Sequence, residues 1–145
     1  MQETQVLVSV PLLKRWVVPA MTEPAVFTGL MNVAIPVTDQ DRTKALFVAL
    51  GFEVRMDAEL TEGFRWVEVA PPNATTRIAL VVSNPGLPSG IDTGIRLAVT
   101  DARAARAKLI ELGLSTGELL EWDGVPPMFS FSDFDDNRLY VTEAS

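Results

Sequence analysis

The chain states one phrase twice. Asn32-Val33-Ala34-Ile35-Pro36-Val37-Thr38-Asp39 and Gly94-Ile95-Arg96-Leu97-Ala98-Val99-Thr100-Asp101 are each a short alternating apolar run that stops at Val-Thr-Asp. A Leu-Gly pair closes the segment that follows in both copies, so Asp39 and Asp101 stand 62 residues apart, and so do Gly51 and Gly113. A repeat of this kind constrains the architecture before any single residue is weighed: it calls for a duplicated domain built from two copies of one strand-helix unit.

The first unit reads as βαβββ. Val33, Ile35 and Val37 form one face of its opening strand. Asp39 caps the helix that follows, Ala45, Leu46, Ala49 and Leu50 recur at helical spacing, and Gly51 ends it. Three strand-like runs come next, Phe52 to Met56, Phe64 to Val69 and Arg77 to Val82, with Ala70-Pro71-Pro72-Asn73 breaking the last two apart because proline cannot continue a central strand. The second unit repeats the plan. Ile95, Leu97 and Val99 make a strand face, Ala102, Ala105, Leu109 and Leu112 a helical stripe, and strands are expected near Ser115 to Leu120, Met128 to Ser132 and Arg138 to Thr142. Asp133-Phe134-Asp135-Asp136-Asn137 has the composition of a hairpin turn, read as solvated. Asn84 to Gly90 reads as the linker between modules spanning 30–83 and 91–143. Each sheet is covered on one face by its own helix, and the opposite faces must cover each other or enclose something.

Composition excludes several chemistries. The 145 residues, 48% of them hydrophobic, suffice for one domain with a real core. The net charge of −7 comes with no basic face to release counterions, which argues against nucleic acid or an anionic membrane and leaves a small molecule or another protein as partner. With neither cysteine nor histidine, disulfides, thiolate catalysis, the commonest neutral-pH general base and the commonest transition-metal ligand are all absent.

Residues 1–28 stand apart as an amino-terminal extension. The apolar run Val6 to Val18 is interrupted by Pro11 and by Lys14-Arg15, and it lacks the flanks of a signal sequence and the length of a membrane span, which points to the cytoplasm. Gln5 to Val10 is read as an extra strand or a dimer arm, followed by a proline-marked linker from Pro19 to Thr28; a start of translation at Met21 or Met31 is the alternative.

The pattern Val37-Thr38-Asp39 to Leu50-Gly51-Phe52, the run Phe64-Arg65-Trp66-Val67-Glu68-Val69-Ala70-Pro71-Pro72 and the tail Asp133-Phe134-Asp135-Asp136-Asn137-Arg138-Leu139-Tyr140-Val141 together resemble the vicinal oxygen chelate superfamily. That superfamily includes glyoxalase I, extradiol dioxygenases and the bleomycin resistance proteins. The resemblance covers roughly residues 30–143 and implies an α+β fold in which two βαβββ modules form an open half-barrel around a cavity, commonly as a homodimer. It also implies where a metal would sit. Metal-dependent members place a histidine at the head of each module's first strand and a carboxylate in each last strand; here those positions are Asn32 and Gly94, and Ala79 and Tyr140. None is a good divalent-metal ligand, so no metal and no other cofactor is expected. Asp133, Asp135 and Asp136 are the one acidic cluster, and they lack the alternation and terminal glutamate of a calcium loop.

Strand parity then sorts the cavity lining. With Val33, Ile35, Ile95, Leu97, Leu139 and Val141 facing the helices, Asn32, Ala34, Gly94, Arg96, Arg138 and Tyr140 point to the concave side. So do Phe64, Trp66 and Glu68, and Arg77 with Ala79. The candidate ligand-binding residues are Asn32, Trp66, Glu68, Arg77, Arg96 and Tyr140, a set suited to stacking a flat or apolar ligand and orienting it with a few charges. Against this stands a structural reading in which Trp66 is core, Glu68 pairs with Arg77 across the sheet and Arg96 is a solvated rim. Trp122 and Met128 are weaker candidates, Trp122 beside a loop, Asp123 to Pro127, that is positioned to fold over a cavity mouth. Three functions remain open: a metal-independent binding protein that sequesters a drug or metabolite, a metal-independent lyase or isomerase using Glu68 or Tyr140 as acid or base, and a pocketless domain whose dimer surface is its function.

Overall fold

The computed structural model describes residues 5–7, 17–19 and 24–144. In the extension, β1 (Gln5–Leu7) pairs antiparallel with β2 (Val17–Pro19); the rest of the predicted strand Gln5 to Val10 and of the linker before Pro24 lies outside the described residues. The first module holds β3 (Asn32–Val37), α1 (Gln40–Ala49), β4 (Glu53–Thr61), β5 (Phe64–Ala70) and β6 (Arg77–Val82). The second holds β7 (Asp92–Val99), α2 (Ala102–Glu111), β8 (Met128–Ser132) and β9 (Arg138–Glu143). The sheet orders are β3-β6-β5-β4 and β7-β9-β8, with β3 parallel to β6, β7 parallel to β9, and the other neighbours antiparallel. Two βαβββ-like modules with mixed sheets are therefore the architecture.

The repeat is visible down to single hydrogen bonds. The Asp39 carboxylate accepts from the Arg42 amide at 3.1 Å, and that of Asp101 accepts from the Ala104 amide at 3.0 Å, each satisfying a helix-end donor with no partner of its own. At the other end Gly51 and Gly113 adopt φ of 92° and 86°. Their amides donate to Val48 and Ile110, and the next residues, Phe52 and Leu114, donate back to Phe47 and Leu109, so both helices close with the same Schellman turn.

The helix-facing side chains of both modules form one continuous core, including Ile35, Phe47, Val67 and Leu80 from the first and Leu109, Phe131, Leu139 and Val141 from the second. The modules thus pack through their helix sides.

Three expectations are corrected. The strand expected over Phe52 to Met56 is β4, which starts at Glu53 and runs on to Thr61 because the hairpin at Glu62-Gly63 lets it pair along β5, through two register shifts. Ser115 to Leu120 is not a continuous strand: it touches β8 through isolated bridges, Thr116 to Phe131 and Leu120 to Met128. Between the bridges the Gly117 amide donates to the Ser130 carbonyl at 2.7 Å, and the Ser130 hydroxyl occupies the space beside Gly117, 2.7 Å from where a Cβ would stand.

The third correction concerns the turn after β8. Far from being solvated throughout, it buries Asp133 and Asn137, at 4% and 0% exposure. Asp133 accepts from the amides of Asp135 and Asn137 and from the Asn137 side chain. Asn137 Nδ2 also donates to the Pro36 carbonyl at 2.7 Å, while its Oδ1 accepts from the amides of Gly90 and Ile91 at 2.9 and 3.2 Å. Asp135 accepts from the Thr38 amide and hydroxyl and pairs with Arg42 at 3.3 Å. The acidic cluster is the stitch that joins the second module to the first.

Candidate functional site

In β5, Val67 and Val69 are fully buried on the helix side, and Trp66 and Glu68 stand on the opposite face. Strand register carries that face across the sheet: Ala58 lies opposite Trp66, Met56 opposite Glu68, Ala79 opposite Glu68, and Ala34 opposite Ala79. Ala34, Ala58 and Ala79 thus flank Trp66 and Glu68 on this face, and the Phe64 ring lies 6.1 Å from that of Trp66. Glu68 is 7% exposed, and its nearest charged partner is Arg77, at an ion-pair distance of 3.7 Å, beyond a hydrogen bond. Glu68 and Arg77 line a cavity of about 290 Å³ together with Thr28 to Met31 and Thr75. A carboxylate so enclosed and so loosely paired favours a ligand that brings a hydrogen-bond donor.

The concave face of the second module carries another group. Arg96 lies opposite Tyr140 in the β7–β9 ladder, its guanidinium carbon 4.6 Å from the ring centroid in a cation–π contact. The Tyr140 hydroxyl donates to Asp92 Oδ2 at 2.6 Å. That bond, then the amide of Gly94 donating to the same carboxylate, and lastly the nearby Arg138 and Arg96, lower the Asp92 carboxyl below its ordinary range against a small desolvation penalty. Arg96 and Tyr140 line a cavity of about 280 Å³ with Glu118, Leu120, Met128 and Ser130.

Within one chain these groups stay apart. The two cavities share no residue, so Glu68 and Arg77 belong to one and Arg96 and Tyr140 to the other. Asn32, at the head of β3 and paired in register with Arg77, and Trp66 line neither. Trp122 is 61% exposed on its loop. Sequence reasoning missed Asp92. Its spacing to Gly94 is the signature of an Asx turn, but only the parallel pairing of β7 with β9 brings it to Tyr140.

The four positions to which the resemblance assigns metal ligands do not suit a divalent ion here. Ala79 and Gly94 offer no side-chain donor, Asn32 offers one neutral oxygen, and the Tyr140 hydroxyl is engaged by Asp92. Among the described residues no group of three or more carboxylates is placed to hold a metal elsewhere, and no helix is long and apolar enough to cross a membrane.

Two mixed-sheet βαβββ modules with aromatic and charged side chains on their concave faces define the glyoxalase-like class of fold. Comparison with known proteins gives the family. An antibiotic-binding protein of Streptomyces sp. CB03234, TnmS3, is 29% identical and superposes with a TM-score of 0.73 over 84% of this chain and 100% of its own. A member of the glyoxalase/bleomycin resistance protein/dioxygenase superfamily from Sphaerobacter thermophilus is 30% identical, with a TM-score of 0.74 over 83% of this chain and 100% of its own. A glyoxalase/bleomycin resistance protein, also from Streptomyces sp. CB03234, is 30% identical with a TM-score of 0.67 over 79% of this chain and 99% of its own. The chain belongs to the glyoxalase/bleomycin resistance protein/dioxygenase superfamily. No family model and no curated protein matches the sequence.

Proposed function

We propose that this protein is a metal-independent small-molecule-binding protein of the bleomycin resistance type, which sequesters a flat, largely apolar drug or metabolite as a homodimer. One observation carries the reading: Trp66 stands beside the enclosed Glu68 on one face of β5, an aromatic platform with one polar anchor. A relative of similar fold that binds an antibiotic supports it. Trp66 supplies stacking area, Glu68 accepts from a ligand donor, Arg77 sets the charge beside it, Asn32 closes the strand head, and Arg96 with Tyr140 forms a second wall.

The separation of the two cavities supports the dimer. A pocket that encloses a ligand needs both walls, and a second copy that sets its second module against the first module of its partner joins them. The large apolar side chains of Val26, Phe27, Leu30 and Met31, all more than three-quarters exposed, supply surface for such an association. The enzymatic alternative loses ground at Tyr140, whose hydroxyl proton is already committed to Asp92; Glu68 remains its one candidate acid or base.

The test begins with a thermal-shift screen, in which a ligand at about 100 times its dissociation constant stabilises the fold by about 2.7 kcal/mol. Trp66→Ala is expected to weaken the hit at least tenfold while leaving most of the stability. Unchanged affinity together with a loss of several kcal/mol returns Trp66 to a purely structural role. Mixing Trp66→Ala with Tyr140→Ala chains is expected to restore one intact site per mixed dimer, and no recovery on mixing refutes the shared pocket.

A further inference from the structure

We propose that the cleft between the modules, on the helix side and away from both concave faces, is a second binding site that takes an apolar chain ending in a carboxylate. The repeat itself shows that this cleft is a departure from the common plan. At the 62-residue register Ile35 and Val37 correspond to Leu97 and Val99, yet the first pair is fully buried and the second only half-buried. The cause is the helix above them. Where α1 carries Thr43, Leu46 and Phe47, α2 carries Ala105, Lys108 and Leu109, so the second module places less volume over its opening strand. The shortfall is a cavity of about 470 Å³, within the size range of small-molecule sites, closed on its far side by Phe52 of the first module.

Lys108 decides what the cleft takes. It stands where α1 buries Leu46 at 4% exposure, and among the described residues it is the one charged side chain that lines the cavity. Its ammonium has only Glu111 near it, at 3.9 Å, too far for a hydrogen bond. An apolar lining removes a hydrocarbon chain from water, and a lysine at the rim offers its head group three donors. A neutral ligand leaves that charge unused, and a cation is repelled by it. The chemistry is therefore that of a short fatty acid or another monocarboxylate with an apolar body.

Octanoate, below its micelle concentration, and octanol serve as the charged and neutral probes, with methyl resonances of Leu97, Val99 and Leu109 in the full chain as the readout. Octanoate is expected to shift these methyls saturably. Lys108→Met is expected to weaken octanoate about three- to fivefold, the range of one exposed ion pair, and to leave octanol unchanged. Leu109→Phe, which restores the residue of the first module, is expected to abolish both; Ala105→Thr, which likewise introduces the first module's residue, serves if that variant does not fold. Absence of a saturable shift, or octanoate binding indifferent to Lys108→Met, overturns the proposal. So does broadening with protein concentration that is confined to these methyls and spares those of the concave faces, which assigns the cleft to a second copy.

Discussion

Replacing Asn137 by alanine removes the side chain that joins three parts of the chain at one buried point. Its amide donates to the Pro36 carbonyl of the first module and to Asp133, and its oxygen accepts from the amides of Gly90 and Ile91, where the linker meets the second module. Each such bond contributes about 1 kcal/mol net, and a buried group left without a partner costs about 1–3 kcal/mol. The Gly90 and Ile91 amides are only part-buried and recover water, whereas the Pro36 carbonyl and the Asp133 carboxylate are enclosed. The expected loss is about 3–5 kcal/mol, a melting temperature lower by roughly 10–15 °C for a chain of this size. Urea unfolding followed by tryptophan fluorescence, at one fixed protein concentration so that association does not enter the comparison, measures it. Asn137→Asp sharpens the test: it keeps the acceptor, loses the donor and sets a second carboxylate against Asp133, so its deficit shrinks as the pH falls and that carboxyl protonates. A loss below about 1 kcal/mol for Asn137→Ala refutes the assignment of the turn as the stitch between modules.

Gly113→Ala forces an alanine into the left-handed region at φ 86° and is expected to cost about 1–2 kcal/mol in the same unfolding assay. Asp57 is held well below the usual carboxylate range by hydrogen bonds from Arg65 and then Lys44, so its contribution is present above a pH of about 4 and lost as the pH falls towards the depressed value. Asp57→Asn is therefore expected to cost about 0.5–1 kcal/mol at neutral pH, discounted for solvent, and the gap to wild type should narrow in acid. Elemental analysis of protein purified without chelator is expected to show no stoichiometric transition metal, and a bound metal that shifts the melting temperature contradicts the metal-independent reading.

How far the site was legible in the sequence can be followed residue by residue. Alternation put Trp66 and Glu68 opposite Val67 and Val69, because side-chain direction in a strand is local and β5 contains no bulge. Tyr140 was found the same way, but its partner Asp92 was not, since a parallel pairing between chain segments 48 residues apart leaves no mark in either segment. The burial of the acidic turn is illegible for a related reason. Its composition is that of a solvated loop, and nothing in the run from Asp133 to Asn137 announces that the Pro36 carbonyl, 101 residues away, waits for the Asn137 amide.

By itself the sequence determined the duplication, the two capped helices and the faces of the strands, all of which rest on short-range rules of spacing, capping and side-chain direction. The tertiary structure alone decided that the modules meet through their helix sides, that Glu68 with Arg77 and Arg96 with Tyr140 line separate cavities, and that a cleft opens under α2. These depend on which surfaces find each other and how much volume fills the space between them. Such choices are made by long-range packing, where one core leucine exchanged for a lysine leaves the helix intact and changes what the helix covers.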